Sequence, residues 1–312
     1  MEVSEAAAPP PEGEAPPAEL AEEGAEPAVI KVSGSRFSGP PFNGPLVYAI
    51  VGVPLLLLSF LGTMLISRGG TPAPAEAQHE WSYEGAAGPT HWGEGDPHAA
   101  ICQTGTEQSP VDIHPSRLMQ LEWLVPIQAK YKASKVRLQN VAHTARIAFD
   151  PGSRMVFQGR EYELTEIRVH TPSEHKINGR TADMELQLLH VTPDSAQAPA
   201  VISLLAMEGA ENPTLAKVWQ QLPEKEGPAV KTTVDLNAQD LLPRDLRYYY
   251  YDGSLTTPPC TEGVRWIVLK EQIAASRAQI QRVKDLFKMN ARPVQPTKDR
   301  FIKEEVPARP GS

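Results

Sequence analysis

The sequence is poor in cysteine, in aromatic residues and in concentrated positive charge. Two cysteines and 6% aromatic residues occur among 312 residues. Two cysteines are too few for a disulfide-rich mini-protein, a Cys-rich zinc ribbon or an iron–sulfur carrier. Because the chain has a net charge of −8 and no basic tract, we expect no nucleic-acid partner bound through phosphate neutralisation.

The first 45 residues have almost no aromatic side chains and are rich in Ala, Pro and Glu. Eight glutamates stand against Lys31 and Arg36, so this segment has a net charge of −6 out of the total of −8. Such a composition buries too little apolar surface to offset the entropy of ordering. We predict a disordered acidic tail over residues 1–45; the alternative is an arm that docks on a partner.

Residues 46–67 contain no charged side chain. As a helix they would be ~33 Å long, enough for the ~30 Å hydrocarbon core of a bilayer. We predict a transmembrane helix, kinked at Pro54, that stays in the mature chain as an anchor. The alternatives are a buried helix of a soluble protein and a signal peptide cleaved near residues 75–77.

Basic residues flank this segment, with Lys31 and Arg36 before it and Arg68 after it. They favour a cytoplasmic N-terminus, although the asymmetry is small. Residues 68–78 are typical of a Pro/Ala linker. Residues 79–303 have the composition of one globular domain, and residues 304–312 form a C-terminal tail.

Within the globular part, residues 166–170 and 185–189 alternate with period two, which predicts strands. Residues 270–289 predict a helix with an apolar stripe. The stripe consists of Ile273, Ile280, Val283 and Phe287. The domain is therefore expected to be mostly β with a few helices.

Six segments, in order along the chain, resemble those of the α-class carbonic anhydrases. The longest is residues 162–190, YELTEIRVHTPSEHKINGRTADMELQLLH. The others are GPTHWGE (88–94), QSPVDI (108–113), NVAH (140–143), GSLTTPPCTEGVRWIV (253–268) and NARPVQP (290–296). The resemblance implies a mainly β, single-domain fold around a large, twisted, mostly antiparallel sheet with a few peripheral helices.

In active members of that family, an H-x-H pair and a third histidine on a neighbouring strand hold a zinc ion. Its bound water ionises near neutral pH and attacks CO2. Here the three ligand positions are occupied by Arg168, His170 and Gln187. Since arginine offers a metal no lone pair, we predict that no zinc or other cofactor binds; the alternative is a zinc site with an unusual ligand set.

Other pocket positions match the family. Glu174 and Thr256 match the pair that orients the zinc-bound hydroxide, and His143 matches the proton shuttle. The apolar wall that receives CO2 is matched by Leu189, Val201, Leu255 and Trp266. Without zinc these residues have a second interpretation, as ordinary hydrogen-bonding, packing and surface residues.

Glu166 stands where active members usually carry a glutamine, two residues before Arg168 on the same strand face. A buried arginine needs a carboxylate partner, so we predict that an ion pair replaces the metal. Glu166 is the nearest candidate in sequence, and Glu174 and Glu185 are alternatives. Arg and Gln at these ligand positions also resemble the family's acatalytic branch, and a small anion is a possible ligand of Arg168.

Cys102 and Cys260 match a cysteine pair that forms a disulfide in many extracellular and periplasmic members of the family. The resemblance therefore implies a Cys102–Cys260 bridge and an oxidising compartment; the alternative is two unpaired buried thiols. A bridge would place the C-terminal domain in the periplasm or outside the cell, in a single-pass membrane protein.

These observations together predict a membrane-anchored carbonic-anhydrase-like protein that lacks zinc and CO2 hydration. It would act as a binding or structural module, or as a subunit that contacts other membrane proteins. The alternative function is an active zinc carbonic anhydrase that interconverts CO2 and bicarbonate.

Overall fold

The structure, a computed structural model, describes residues 81–121, 124–193 and 198–305. The predicted acidic tail (1–45), membrane helix (46–67) and linker (68–78) lie outside the described residues, as do residues 306–312 of the C-terminal tail. Among the described residues, no helix has the length and apolar character needed to cross a membrane.

Strands account for most of the regular structure in the described residues. The strands are β1 Asp112–Ile113, β2 Leu118–Leu121, β3 Gln128–Lys130, β4 Ser134–Asn140, β5 Ala145–Ala148, β6 Arg154–Phe157, β7 Arg160–His170, β8 Lys176–Ile177, β9 Arg180–Thr181, β10 Met184–Val191, β11 Ala200–Glu208, β12 Val230–Leu236, β13 Tyr248–Ser254, β14 Glu262–Leu269, β15 Ile273–Ala275 and β16 Ile302–Glu305. The α-helices are α1 Ile101–Thr104, α2 Pro213–Trp219 and α3 Arg277–Phe287. Short 3-10 helices lie at Gly85–Ala87, Pro115–Arg117 and Ala238–Leu241.

One large sheet organises the described residues. Its main path runs β12-β4-β5-β7-β10-β11-β14-β13-β16-β2, and β3, β6 and β15 pair beside that path. Most neighbours are antiparallel, whereas β11 is parallel to β14 and β15, and β16 is parallel to β2. The mainly β fold around a large sheet, implied by the resemblance, is confirmed.

The two faces of the central strands have different chemistry. Ile167 and Val169 of β7, with Leu186 and Leu188 of β10, enter the larger apolar core. The residues between them point to the opposite face, because side chains alternate along a strand. We call this opposite face, which carries Glu166, Arg168, His170, Glu185 and Gln187, the site face.

Helices α2 and α3 pack on the larger core, away from the site face, through Leu215, Trp219, Ile280 and Phe287. The prediction of a helix over residues 270–289 was wrong at its start, since α3 begins at Arg277. Ser276 caps α3, and its side chain and that of Gln279 form a reciprocal capping box. Upstream of that cap, residues 273–275 pair with β11 as strand β15.

Candidate functional site

Adjacent strands bring the three predicted ligand positions together on the site face. Gln187 of β10 lies directly opposite Arg168 of β7, and Glu185 lies opposite His170. Directly opposed residues of an antiparallel pair have Cβ atoms about 5 Å apart. The tertiary structure therefore places Arg168, His170 and Gln187 in one cluster.

Arg168 forms the predicted ion pair with Glu166. Its Nε donates to Glu166 Oε1 at 2.7 Å. The Glu166 side chain is almost fully buried, whereas that of Arg168 is 35% exposed. The alternatives Glu174 and Glu185 form hydrogen bonds with other groups instead.

A second arginine, which the sequence analysis did not identify, completes this cluster. Arg146 of β5 lies opposite Arg168, and its Nε donates to Glu166 Oε2. Burial would raise the pKa of Glu166, but the charges and hydrogen bonds of the two arginines outweigh it and hold that pKa below its usual range. The only sequence signal for Arg146 is its place three residues after His143, at the start of a short strand.

Gln187 is held by two buried carboxylates. Its Nε2 donates to Glu174 Oε2 at 2.7 Å and to Glu185 Oε1 at 3.1 Å. The other oxygen of Glu174 accepts from the backbone N–H of Arg292 at 2.9 Å. Among the described residues, no hydrogen bond joins Thr256 to Glu174, whose two oxygens accept from the Gln187 amide and from the Arg292 backbone.

His170 lies in the interior of the site and is 1% exposed. Its Nδ1 is 2.7 Å from the backbone oxygen of Asn290. A carbonyl only accepts, so this nitrogen carries the hydrogen. Nε2 is buried and has no hydrogen-bond partner in the described structure, which is unusual for a buried polar atom.

Behind Gln187, a buried network links Glu185 to the next layer. Glu185 Oε1 lies 2.8 Å from His175 Nδ1, and His175 Nε2 lies 2.6 Å from the Tyr251 hydroxyl, which donates to Ser109. Burial would raise the pKa of Glu185, but the charge and hydrogen bonds of His175 prevail and lower it to about 2. The roles of Tyr251 and Ser109 were missed, since the contacts that define them join residues far apart in sequence.

The apolar residues matched to the CO2-binding wall do lie together. Leu189, Val201, Leu255 and Trp266 belong to one hydrophobic cluster on this side of the sheet. The residues of that cluster pack against one another beside the site face. This arrangement is consistent both with a wall that receives CO2 and with ordinary packing.

His143 lies at the edge of the site beside aromatic rings. Its ring stacks on Trp81 with centroids 4.0 Å apart, and its centroid is 6.3 Å from that of Tyr83. The Tyr83 hydroxyl is buried without a hydrogen-bond partner in the described structure. Tyr83, like Arg146, Tyr251 and Ser109, is a site residue that the sequence analysis missed.

The Cys102–Cys260 disulfide is present, with an S–S distance of 2.03 Å. The backbone oxygen of Cys102 accepts from Arg292, a buried arginine that also donates to Gln108 and Ser109. The bridge therefore connects helix α1 to the turn before β14, close to the site. The predicted pairing is confirmed.

The residues at the ligand positions do not fit zinc. Arg168 has no lone pair and a positive charge, and the amide nitrogen of Gln187 is bound to two carboxylates. Only His170 Nε2 is the kind of donor that zinc prefers. Across residues 81–121, 124–193 and 198–305, no group of three or more His, Cys, Asp or Glu side chains is arranged to hold a metal ion.

Comparison with known proteins places these features in a family. The sequence pattern of the eukaryotic-type carbonic anhydrases matches residues 87–306. A carbonic anhydrase from Nostoc sp. is 36% identical over 255 residues, covering 81% of this chain and 96% of that protein.

Two solved structures are also similar. The α-carbonic anhydrase from Thermovibrio ammonificans, in complex with the inhibitor sulfanilamide, superposes with a TM-score of 0.70 at 35% identity, over 72% of this chain and 99% of its own. A dioscorin complexed with ascorbate gives a TM-score of 0.68 at 32% identity, over 73% and 100% respectively.

Proposed function

This chain belongs to the eukaryotic-type carbonic anhydrase family, and from that premise we propose that it is a carbonic-anhydrase-like binding module without zinc or CO2 hydration. One observation supports the proposal: Arg168, which the sequence resemblance matches to the family's first metal ligand, has its guanidinium paired with Glu166. An ion pair thus stands where the family's chemistry requires a metal ligand.

Electrostatics argue strongly against a metal beside Arg168. At an effective dielectric constant of 20, a +1 and a +2 charge ~4 Å apart repel by roughly 8 kcal/mol. Structural zinc sites gain only about 10–16 kcal/mol in total. The attraction of one imidazole and one amide for the ion is therefore too small to overcome its repulsion by Arg168.

The proposal is tested by measuring zinc content and CO2 hydration on the same sample of the purified full-length chain. We expect well under one zinc per chain and no hydration above the uncatalysed rate. Stoichiometric zinc that survives dialysis against a mild chelator, or measurable hydration by the parent protein, would contradict the proposal.

The second candidate function is an active carbonic anhydrase with an unusual ligand set. It is favoured by the name and near-complete coverage of relatives such as the Nostoc enzyme, called a carbonic anhydrase. His170, whose Nε2 has no partner in the described structure, would be the first ligand to examine. The same zinc and hydration measurements separate the two functions.

We also propose that the domain is anchored in a membrane by residues 46–67, with a cytoplasmic N-terminus. The Cys102–Cys260 disulfide supports this orientation, because disulfides persist in the periplasm and outside the cell and are rare in the cytosol. Such a module would bind other subunits of a membrane complex or a small ligand. The fold is compatible with the latter, as in the dioscorin solved with ascorbate.

A further inference from the structure

We propose that Arg146 and Arg168 bind a small hydroxyl-bearing oxyanion, such as a short hydroxycarboxylate, in a site that Tyr83 and His170 complete. This inference rests on the proposed function, because it assigns a ligand to the place where the family's metal is not expected.

The arginine pair has more positive charge than its partner neutralises. Arg146 and Arg168 lie directly opposite each other on neighbouring strands, an arrangement that is unfavourable for like charges. Glu166 supplies a single carboxylate to both. These two guanidiniums and one carboxylate have a net charge of +1, which an anion would neutralise.

The arginines also have unused hydrogen-bond donors. A guanidinium has five N–H groups, and in the described structure the side chains of Arg146 and Arg168 each make one hydrogen bond, through Nε. The two side chains are 46% and 35% exposed, respectively, so part of each is accessible to a ligand. Planar guanidiniums are well suited to bind carboxylates through paired hydrogen bonds.

Tyr83 adds a buried donor near Arg168. The residue is 8% exposed, and its hydroxyl has no hydrogen-bond partner in the described structure. Burial and then the charge of Glu174 raise the pKa of Tyr83, while Arg168 and Arg292 lower it. By geometry, the Tyr83 ring lies edge-on to His143 with centroids 6.3 Å apart, and Asn290 joins the His143 backbone to the His170 ring. The phenol therefore lies on the His170 side of the site, where its raised pKa keeps it protonated as a donor.

His170 adds a buried acceptor on the same strand face as Arg168. Its Nδ1–H is bound to the carbonyl of Asn290, so in the neutral ring Nε2 has the lone pair. That lone pair has no donor in the described structure. A ligand that suits all these groups has anionic oxygens for the arginines and Tyr83, and a hydroxyl for His170.

The other carboxylates in the site do not compete for the arginines. Glu174 accepts from Gln187 and from the backbone of Arg292, and Glu185 accepts from His175, Ser203 and Gln187.

A different basic cavity, of about 460 Å³, is lined by Lys130, Lys132 and Arg154. It includes no buried polar atom without a partner, so it serves as a control region.

The test uses glycolate, a carboxylate with a hydroxyl, and acetate, which lacks the hydroxyl. Both are titrated into the full-length chain in low-chloride buffer, after zinc has been quantified in the same sample. Binding is followed by tryptophan fluorescence and by the shift in Tm. We expect saturable binding of glycolate, with acetate weaker because it cannot donate to His170.

Substitutions locate the site. Arg168→Gln and Arg146→Gln should each raise the Kd for glycolate about tenfold, since each removes a charge-assisted contact. Tyr83→Phe should weaken the binding of both acids and leave the ion pairs of Arg146 and Arg168 with Glu166 intact. The control is Arg154→Gln, which removes an exposed guanidinium that also bonds a glutamate, Glu161, at 2.6 Å, and should leave the Kd unchanged.

The outcomes separate the two proposals. Zinc-free protein that fails to bind glycolate, or binds it equally well after Arg146→Gln and Tyr83→Phe, would overturn the anion site and leave the proposed function standing. If Arg168→Gln does not fold, those two variants still decide the question. Stoichiometric zinc, with binding lost on chelation, would overturn both.

Discussion

Gln187 changes the site as much as Arg168 does. Its amide offers two N–H groups, and they donate to Glu174 and Glu185. A neutral imidazole has only one N–H, so a histidine at this position would serve one carboxylate and direct its other nitrogen elsewhere. Arg168 and Gln187, opposite each other on neighbouring strands, thus each have hydrogen-bond partners within the site.

Restoring the ligands tests whether the surrounding shell is still suited to zinc. We predict that Arg168→His with Gln187→His binds zinc together with His170 and hydrates CO2 weakly, because imperfect outer-shell geometry costs ~10–100-fold. Adding Glu166→Gln should improve folding by removing a carboxylate that has lost one of its two arginines. Zinc content and CO2 hydration are the measurements.

Each single substitution is the control for that experiment. Arg168→His alone leaves an amide at the third ligand position, and Gln187→His alone leaves the guanidinium charge, so neither should bind zinc tightly. A folded, zinc-loaded triple variant without any hydration would show that the shell no longer supports the reaction.

Another buried histidine gives the protein a pH-dependent stability. His190 Nε2 is 2.8 Å from the Tyr131 hydroxyl, and burial lowers the pKa of His190 from 6.5 to about 4. Between these values the unfolded chain binds a proton that the folded chain does not. The contribution is therefore zero above pH 6.5 and increasingly destabilising as the pH falls toward 4.

We predict that this one group lowers the free energy of unfolding by up to about 3 kcal/mol between pH 6.5 and 4. Urea unfolding of the parent and of His190→Gln across that range is the measurement. In His190→Gln, the free energy of unfolding should lack this decrease as the pH falls from 6.5 to 4. The exposed control His114→Gln should show the same decrease as the parent. Equal slopes in parent and His190→Gln would refute the assignment.

At the scale of elements, register decides which side chains meet. Strand β7 lies between β5 and β10, so Arg168 has Arg146 on one side and Gln187 on the other. A one-residue slip would turn all these side chains to the opposite face. The apolar residues Ile167 and Val169, fully buried in the larger core, hold the register that positions the site.

The disulfide joins two elements that are distant in sequence. Cys102 and Cys260 are 158 residues apart, and closing such a loop restricts the unfolded chain. From loop entropy, we predict that reduction lowers the free energy of unfolding by on the order of 5 kcal/mol. Urea unfolding with and without reductant measures the difference, and a Cys102→Ala/Cys260→Ala variant should be insensitive to reductant.

Unchanged unfolding midpoints on reduction of the parent would contradict that prediction. The mass of the unreduced chain gives an independent check, since forming the bridge removes two hydrogens. Two thiols that react with an alkylating reagent before reduction would show that the pair is not oxidised in its native compartment.

At the scale of the whole molecule, the two sides of the large sheet in the described domain differ in chemistry. Helices α2 and α3 pack on the larger core, and the site face is on the other side of the sheet. Polar chemistry is therefore concentrated on one side, with aromatic residues Trp81, Tyr83 and Trp92 at its edge. A ligand or partner subunit that binds on this side would meet the functional groups of the site face together.

Membrane attachment is a prediction about the whole chain. We expect residues 46–67 to remain in the mature protein, because the acidic segment before them is unlike the positively charged start of a secretory leader. The protein should stay in the membrane fraction after alkaline carbonate extraction. An N-terminus at or near Gln78, found by sequencing the mature chain, would contradict this expectation.

Sequence was sufficient for the family, the sheet fold and the disulfide pair, because six ordered motifs span most of the domain. It also indicated Glu166 as the nearest partner for Arg168, since residues two apart on a strand share a face, but it left Glu174 and Glu185 as alternatives. These inferences depend on local spacing or on resemblance. They need no knowledge of which strands become neighbours.

Only the tertiary structure decided the rest of the site. Arg146 joins Glu166 because β5 pairs with β7, and Gln187 reaches Glu174 because β10 carries it beside the loop after β7. The unpartnered Tyr83 hydroxyl and His170 Nε2 become visible only when every neighbouring polar group is accounted for. Such contacts join residues far apart in sequence, and their register is set by packing of the whole core rather than by any local pattern.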